Sequence, residues 1–274
     1  MKWDIVVIEN ENKEAFAAVL PLNMDLTGYR IALGAVSKYG KVYGAVSYML
    51  VDHEYDIDWI YVEPQFRRNG IGTALMKEML TAIEKSGDRF MASAKFEYTE
   101  DNNVMHTFFL SLEWMDVSYS HDRFYVEPEF IEGSGLVNHK KAINQKPVSF
   151  FKLPAVTQKN MLALLAARGE YIVTDYNRWR SEIVEELSRV ILVGNEPVDL
   201  VFIRKDVNGN LSLDYLYSKY IPGLFDLLTS SAVDVTLLYP DSILYYDTLD
   251  ETALKITERF FPRAERVYIY EAVF

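Results

Sequence analysis

The chain has 274 residues, with 28 Lys and Arg against 40 Asp and Glu and a formal net charge of −12. That balance argues against a nucleic-acid-binding surface, which needs clustered cations, and no apolar run approaches the roughly 18–20 residues that span a bilayer. Cysteine is absent, which excludes disulfides, thiolate metal sites and a cysteine nucleophile, and which fits a cytoplasmic protein.

In chain order, residues 3–8 read as a strand rather than a signal peptide, and residues 12–20 as a helix. Three β-rich runs follow, Arg30–Ser37, Lys41–Leu50 and Tyr55–Val62, separated by the turns Tyr39-Gly40 and Asp52-His53-Glu54, which predicts an antiparallel meander. A helix is expected from Gly72 to Lys85, closed by Ser86-Gly87. A strand near 89–96, a helix near 101–112 and strands near 114–119 and 122–127 complete a first unit. The stretch 128–147, with Gly133-Ser134-Gly135 and Lys146-Pro147, reads as a linker.

The second half echoes the first. Asp58-Trp59-Ile60-Tyr61-Val62 returns as Asp214-Tyr215-Leu216-Tyr217-Ser218, the latter closing a hairpin with an Asn208-Gly209 turn. Thr107-Phe108-Phe109 returns as Arg259-Phe260-Phe261, and Tyr125-Val126-Glu127 as Tyr270-Glu271 near the end of the chain. The expected organisation is a domain at 1–130, a linker at 131–147 and a degenerate copy at 148–274.

The stretch with most chemical content is Val62-Glu63-Pro64-Gln65-Phe66-Arg67-Arg68-Asn69-Gly70-Ile71-Gly72-Thr73. A helix start after a glycine-rich turn offers unpaired backbone N–H groups to an anion, and two arginines add charge-assisted bonds. The plain alternative is a tight strand-to-helix turn with solvated arginines. A dinucleotide fingerprint fits poorly, because Leu75 stands where the third glycine belongs. In the second half Lys219-Tyr220-Ile221-Pro222-Gly223-Leu224 has one glycine and no arginine pair.

Arg67-Arg68-Asn69-Gly70-Ile71-Gly72 resembles the Arg/Gln-x-x-Gly-x-Gly/Ala signature of the GCN5-related N-acetyltransferases. Val62-Glu63-Pro64 and Ala74-Leu75 are similar to that family's strand-to-helix junction, and the order of elements over about residues 1–130 resembles its fold. The resemblance implies an α+β, mixed-sheet acyl-CoA N-acyltransferase-like fold, here duplicated. It also implies that backbone amides of Arg68, Asn69, Gly70, Ile71, Gly72 and Thr73, with Arg67, hold the pyrophosphate of acetyl-CoA. Ile60, Tyr61 and Val62 then pair with the pantetheine arm where their strand bulges away from its neighbour. Asn102 to Phe109 resembles the family's second motif, Asn-x-x-Ala-x-x-Phe-Tyr. Phe109 stands where the family often has a tyrosine that protonates the departing thiolate, so Asn102 and Phe109 join the coenzyme residues, and His106 one turn earlier is a candidate substitute donor, against the plain reading of a surface or capping histidine.

For the acceptor, a lysine-like amine of pKa ~10.4 costs about 4–5 kcal/mol to uncharge at pH 7. A nearby carboxylate relieves that cost. Asp56 and Asp58 are the candidates, expected with Ile60 and Val62 on one face of the strand by period two, against the plain reading of a solvated strand edge. The charge is uneven, residues 1–137 carrying 12 basic and 22 acidic side chains and the remainder 16 and 18, which favours a cationic acceptor. Histidines at 53, 106, 121 and 139 are scattered, so no metal site is expected. The expected protein is an N-acetyltransferase working by direct attack in a ternary complex, with a homodimer possible through strand edges. The alternative is an acyl-CoA-binding sensor or scaffold with little catalysis.

Overall fold

The computed structural model describes all residues except 1, 22–23, 27–29, 52–53, 86–90, 138–145, 168–181, 195, 207, 220 and 249–250, and also omits the side chains of 51, 221, 222 and 252. The expected turn at Asp52-His53 and the cap at Ser86-Gly87 lie outside the described residues. The chain forms two compact units, one of residues 1–120 with 268–274, the other of residues 121–267.

The first unit has the strand order β1 (Asp4–Ile8), β2 (Arg30–Val36), β3 (Val42–Val51), β4 (Glu54–Val62), β5 (Met91–Tyr98), then the end of β12 (Glu265–Val273). The expected meander is present: β1 to β4 pair antiparallel in sequence. β4 then crosses by helix α1 (Ile71–Lys85) to the parallel β5. α1 buries Ile71, Leu75, Met76, Met79, Leu80 and Ile83, a spacing that keeps one helical face on the sheet. Each such side chain contributes roughly 1.5–3 kcal/mol on burial. Helix α2 (Val104–Leu110) packs on β5, with the Phe109 ring stacked on Phe96 at 5.0 Å.

The opposite face is covered by the segment between β1 and β2. The helix expected at 12–20 is a short 3-10 turn, Lys13–Phe16, followed by turns that bury Phe16, Val19, Leu20 and Met24 against Ala32 and Ala45. Gly34 lets this happen: a Cβ there would collide with the Phe16 ring. Trp59 joins this layer and donates its indole N–H to Val19 O at 2.8 Å.

The second unit has the order β6 (Asp116–Val126, through its residues 122–126), β11 (Leu244–Thr248), β10 (Leu211–Ser218), β9 (Glu196–Lys205), β8 (Arg189–Val193) and β7 (Val148–Ser149). Its helices are Ala155–Ala167, Ile221–Leu238 and Glu251–Phe260. The two strands expected near 114–119 and 122–127 are one continuous strand, β6, and the expected linker begins with a short helix, Pro128–Glu132. The first unit is not a contiguous segment: residues 268–273 return to pair with its β5, whereas residues 122–126 pair with β11 within the second unit, which is continuous.

Candidate active site

The β4–β5 ladder is short. Glu54, Tyr55 and Asp56 pair with Met91, Ala92 and Ser93, after which no rung joins the two strands among the described residues, although both continue. β4 also bulges. Ser47 pairs with Trp59 but Met49 pairs with Asp56, so β4 carries one residue more than β3 between these rungs. The bulge and the separation both match what the resemblance implied for this strand.

The bulge also corrects the expected facing. Asp56, Asp58, Ile60 and Val62 do not share a side, because the extra residue inverts the alternation. Ile60 and Val62 pack with Tyr55 and Ile57 beneath α1, whereas Trp59 and Tyr61 stack at 6.3 Å in the opposite layer. Asp58 lies on that opposite side too: Oδ2 accepts from Arg30 Nη2 at 2.7 Å and Nε at 2.8 Å, and Oδ1 accepts from the Ser47 hydroxyl. Asp56 occupies the last β4–β5 rung, at the fork.

Beyond the fork, the backbone of β4 is directional. Glu63 N–H donates to Tyr43 O at 3.0 Å, and Tyr61 O lies 2.6 Å from where a Cβ on Gly44 would stand, so both point toward β3. The N–H and C=O groups of alternate residues point to the other side, which turns those of Ile60 and Val62 toward the gap. Arg67 Nε donates to Val62 O at 2.9 Å, and its guanidinium carbon sits 5.7 Å from the centroid of the Tyr61 ring.

The junction to α1 has the geometry of an anion cradle. Arg68 and Gly70 have φ of 61° and 80°, a turn that aims successive N–H groups into one concavity. The Asn69 side chain steadies it by donating to Phe66 O and Arg67 O at 3.1 and 3.0 Å. Ala74 N–H makes the first helical bond, to Gly70 O at 2.9 Å, so the N–H groups of Ile71, Gly72 and Thr73 precede the ladder. Gly72 has a second role, since a Cβ there would lie 3.0 Å from the Phe108 ring.

A cavity of about 430 Å³ unites these parts, lined by Ile60, Tyr61 and Val62, by Arg67, Arg68 and Gly70 to Thr73, and by Asn102, Val104, Met105, Phe108 and Ser111 of the α2 region. Most of the sequence-derived coenzyme residues therefore come together, with Asn69 acting on the loop itself. Phe109 does not line the cavity. It is fully buried in the core, with His106 beside it near Phe96 and the His106 ring 4.8 and 5.0 Å from Tyr270 and Tyr98. Both residues do share a helix face, and it is the face turned to the sheet. The cavity face carries Met105, Phe108 and Ser111, whose helical spacing after Asn102 was a readable signal. Arg30 and Ser47 carried no local signal, because they meet Asp58 only through strand register.

Among the described residues no cluster of His, Asp or Glu is arranged to hold a metal ion, and no helix is long and apolar enough to cross a membrane.

Residues 3–116 match the family model of the acetyltransferase (GNAT) domain. Three solved structures illustrate the likeness of fold. A GCN5-related N-acetyltransferase from Sphaerobacter thermophilus is 11% identical with a TM-score of 0.60, over 98% of this chain and 95% of that one. One from Kribbella flavida is 12% identical with a TM-score of 0.54, over 98% and 71%. A tandem GNAT protein from the clavulanic acid biosynthesis pathway is 15% identical with a TM-score of 0.56, over 96% and 87%. No curated protein matches the chain. Residues 3–116 thus carry an acetyltransferase (GNAT) domain, with the fold and the cradle described above.

Proposed function

We propose that the chain transfers an acetyl group from acetyl-CoA to an amine, by direct attack with donor and acceptor bound together. The observation that carries this reading is a single cavity joining an anion cradle, at Arg68–Thr73, to the unpaired edge of β4 at Ile60 and Val62. The cradle's N–H groups suit a pyrophosphate, and the β4 edge suits an extended amide-bearing arm. The coenzyme supplies an activated acyl thioester. Within the chain, the Val62 N–H is the donor on hand for charge developing on the acyl oxygen. Arg67 holds the neighbouring carbonyl of Val62, which keeps that acceptor turned away from the same charge.

Of the two carboxylates read as proton acceptors, Asp56 at the fork is the proposed base, directly or through water. Asp58 is already bonded through both oxygens. The acceptor is proposed to be a small cationic amine or an exposed amino group, in keeping with the acidic first half of the sequence. The second half is proposed to be a degenerate copy of the first, because strands and helices follow the same order in both.

The test is a titration with coenzyme A followed by an assay of thiol release over a panel of amines. Binding with turnover is expected, with kcat falling about 10²–10³-fold in Asp56→Asn. Binding without thiol release from any amine would instead favour a sensor or scaffold. Unchanged coenzyme affinity in Arg68→Glu would remove the basis of both.

A further inference from the structure

The bulge in β4 is held by a three-strand cluster that the acetyl-transfer chemistry leaves unused. Asp58 is the residue beside the extra position, and it joins β2 through Arg30 and β3 through Ser47. The pair is largely buried, with 9% and 17% of the Arg30 and Asp58 side chains exposed and Ser47 at 0%. A regular strand would send Asp58 and Trp59 to opposite sides. Here both face the layer away from α1, as residues flanking an extra position do.

The second unit repeats the device with different partners. Leu213 pairs with Ile203 and Tyr215 with Phe202, which makes Asp214 the extra residue of β10. Asp214 Oδ1 accepts from Arg204 Nη2 at 2.9 Å and from the Ser212 hydroxyl at 3.2 Å. The spacing also repeats. The last rung joining β4 to β5 is at Asp56, and the last joining β10 to β11 is at Ser212, each two residues before the bulged aspartate. An aspartate clamped by arginine and serine thus sits at the same offset from the fork in both units.

The physical reason is register. Removing the bulge slips β4 by one residue relative to β3 and exchanges its faces, sending Ile60 and Val62 to the wrong side. A buried guanidinium–carboxylate pair is a poor source of net stability but a strict selector of the one geometry in which both partners meet. We infer that Arg30, Asp58 and Ser47 form a positioning clamp that fixes the bulge and so holds the Ile60–Val62 edge where the coenzyme arm is received. Asp58 is then a positioning residue, not a proton acceptor. This rests on the acyl-CoA reading of the cavity.

The experiment measures coenzyme A affinity by calorimetry, amide hydrogen exchange across residues 57–62, and urea stability. The variants are Asp58→Asn, Arg30→Lys and their double, Ser47→Ala, Asp214→Asn and Gly72→Asp. Asp58→Asn and Arg30→Lys are each expected to weaken coenzyme A binding about tenfold, since small misplacements at a site are costly. Exchange at residues 57–62 accelerates in both, and the double variant is no weaker than the worse single. Asp214→Asn loses stability while keeping wild-type affinity, a split that a merely stabilising role for Asp58 would not produce. Ser47→Ala, lacking only a hydroxyl, gives the same direction of change should the others fail to fold.

Wild-type affinity and exchange in Asp58→Asn would overturn the clamp. So would intact binding with abolished thiol release, which would make Asp58 the base. If wild type and Gly72→Asp alike ignore coenzyme A, the acyl-CoA reading is what fails, and exchange at residues 57–62 still decides the clamp.

Discussion

The junction after β4 and the junction after β10 set out from the same design and end differently. Each follows a bulged strand with a clamped aspartate, whose parallel pairing to the next strand stops two residues earlier. Even the exit bond is shared: Glu63 N–H donates to Tyr43 O at 3.0 Å, and Lys219 N–H to Val198 O at 2.8 Å. After β4, residues 63–70 intervene before α1, with positive φ at Arg68 and Gly70. After β10 only residues 219–220 intervene, and Pro222 brings no N–H to the first turn of the next helix. The splayed sheet is a property of the framework, whereas the anion cradle is a property of eight loop residues. A unit can keep the first and not the second.

The comparison makes predictions of decreasing size. Deleting residues 268–274 is expected to have the largest effect, because Tyr268–Val273 pair with Tyr98–Ser93, and Ile269 and Ala272 are 1% and 0% exposed. The loss should approach the roughly 5–15 kcal/mol that stabilises a whole domain. Urea unfolding should then show no cooperative transition for the first unit. A truncated chain that still folds and binds coenzyme A would mean the first unit stands without its C-terminal strand.

Next is charge reversal at the two junctions. Arg68→Glu should weaken coenzyme A binding by about 2–3 kcal/mol, as expected for charge-assisted bonds to phosphate. Lys219→Glu should leave it unchanged, since Lys219 makes an exposed ion pair with Glu196 at 3.3 Å. Equal losses at both would show that the second junction binds an anion as well.

A third effect belongs to the second unit alone. Burial acts to raise the pKa of Asp247, but hydrogen bonds from His121 and Arg123, with the charge of Arg123, outweigh it and hold the group well below the usual carboxylate range. A lowered folded-state pKa gives stability that is complete above the ordinary carboxylate pKa and lost as pH falls through the folded value. Asp247→Asn should therefore cost on the order of 1–3 kcal/mol near pH 7. The gap to wild type should close in acid, as followed by urea unfolding at several pH values. The smallest effect is expected at two turn glycines where a Cβ would meet no clash, Gly40 at φ 79° with nothing within 4 Å, and Gly209 at φ 89° with Lys205 Cε at 3.8 Å. Alanine at either should cost about 1 kcal/mol through backbone strain alone, read as a shift in midpoint.

Local signals carried much of the fold. Alternation through Arg30–Val62 and the helical spacing of Ile71, Leu75, Met79 and Ile83 were legible because a strand and a helix each bury one face at a fixed period. The segment 12–20 misled for the same reason. Its apolar residues are buried by turns that follow the sheet face, not by a helix.

The cradle was legible in the sequence because its chemistry lies within one contiguous loop, whose glycine and positive-φ arginine are backbone demands at single positions. The likeness of the fold to GNAT acetyltransferases followed from the same stretch. Only the tertiary structure decided which side chains face the cavity and which the core. The bulge shifts facing by one residue and no local pattern announces it, so Asp56 and Asp58 were grouped with Ile60 and Val62. Phe109 was placed beside the coenzyme because its helix was read without knowing which side meets β5. The completion of the first sheet by residues 268–274 was out of reach as well, since strand partners are chosen by register and burial across the whole chain and not by neighbouring residues.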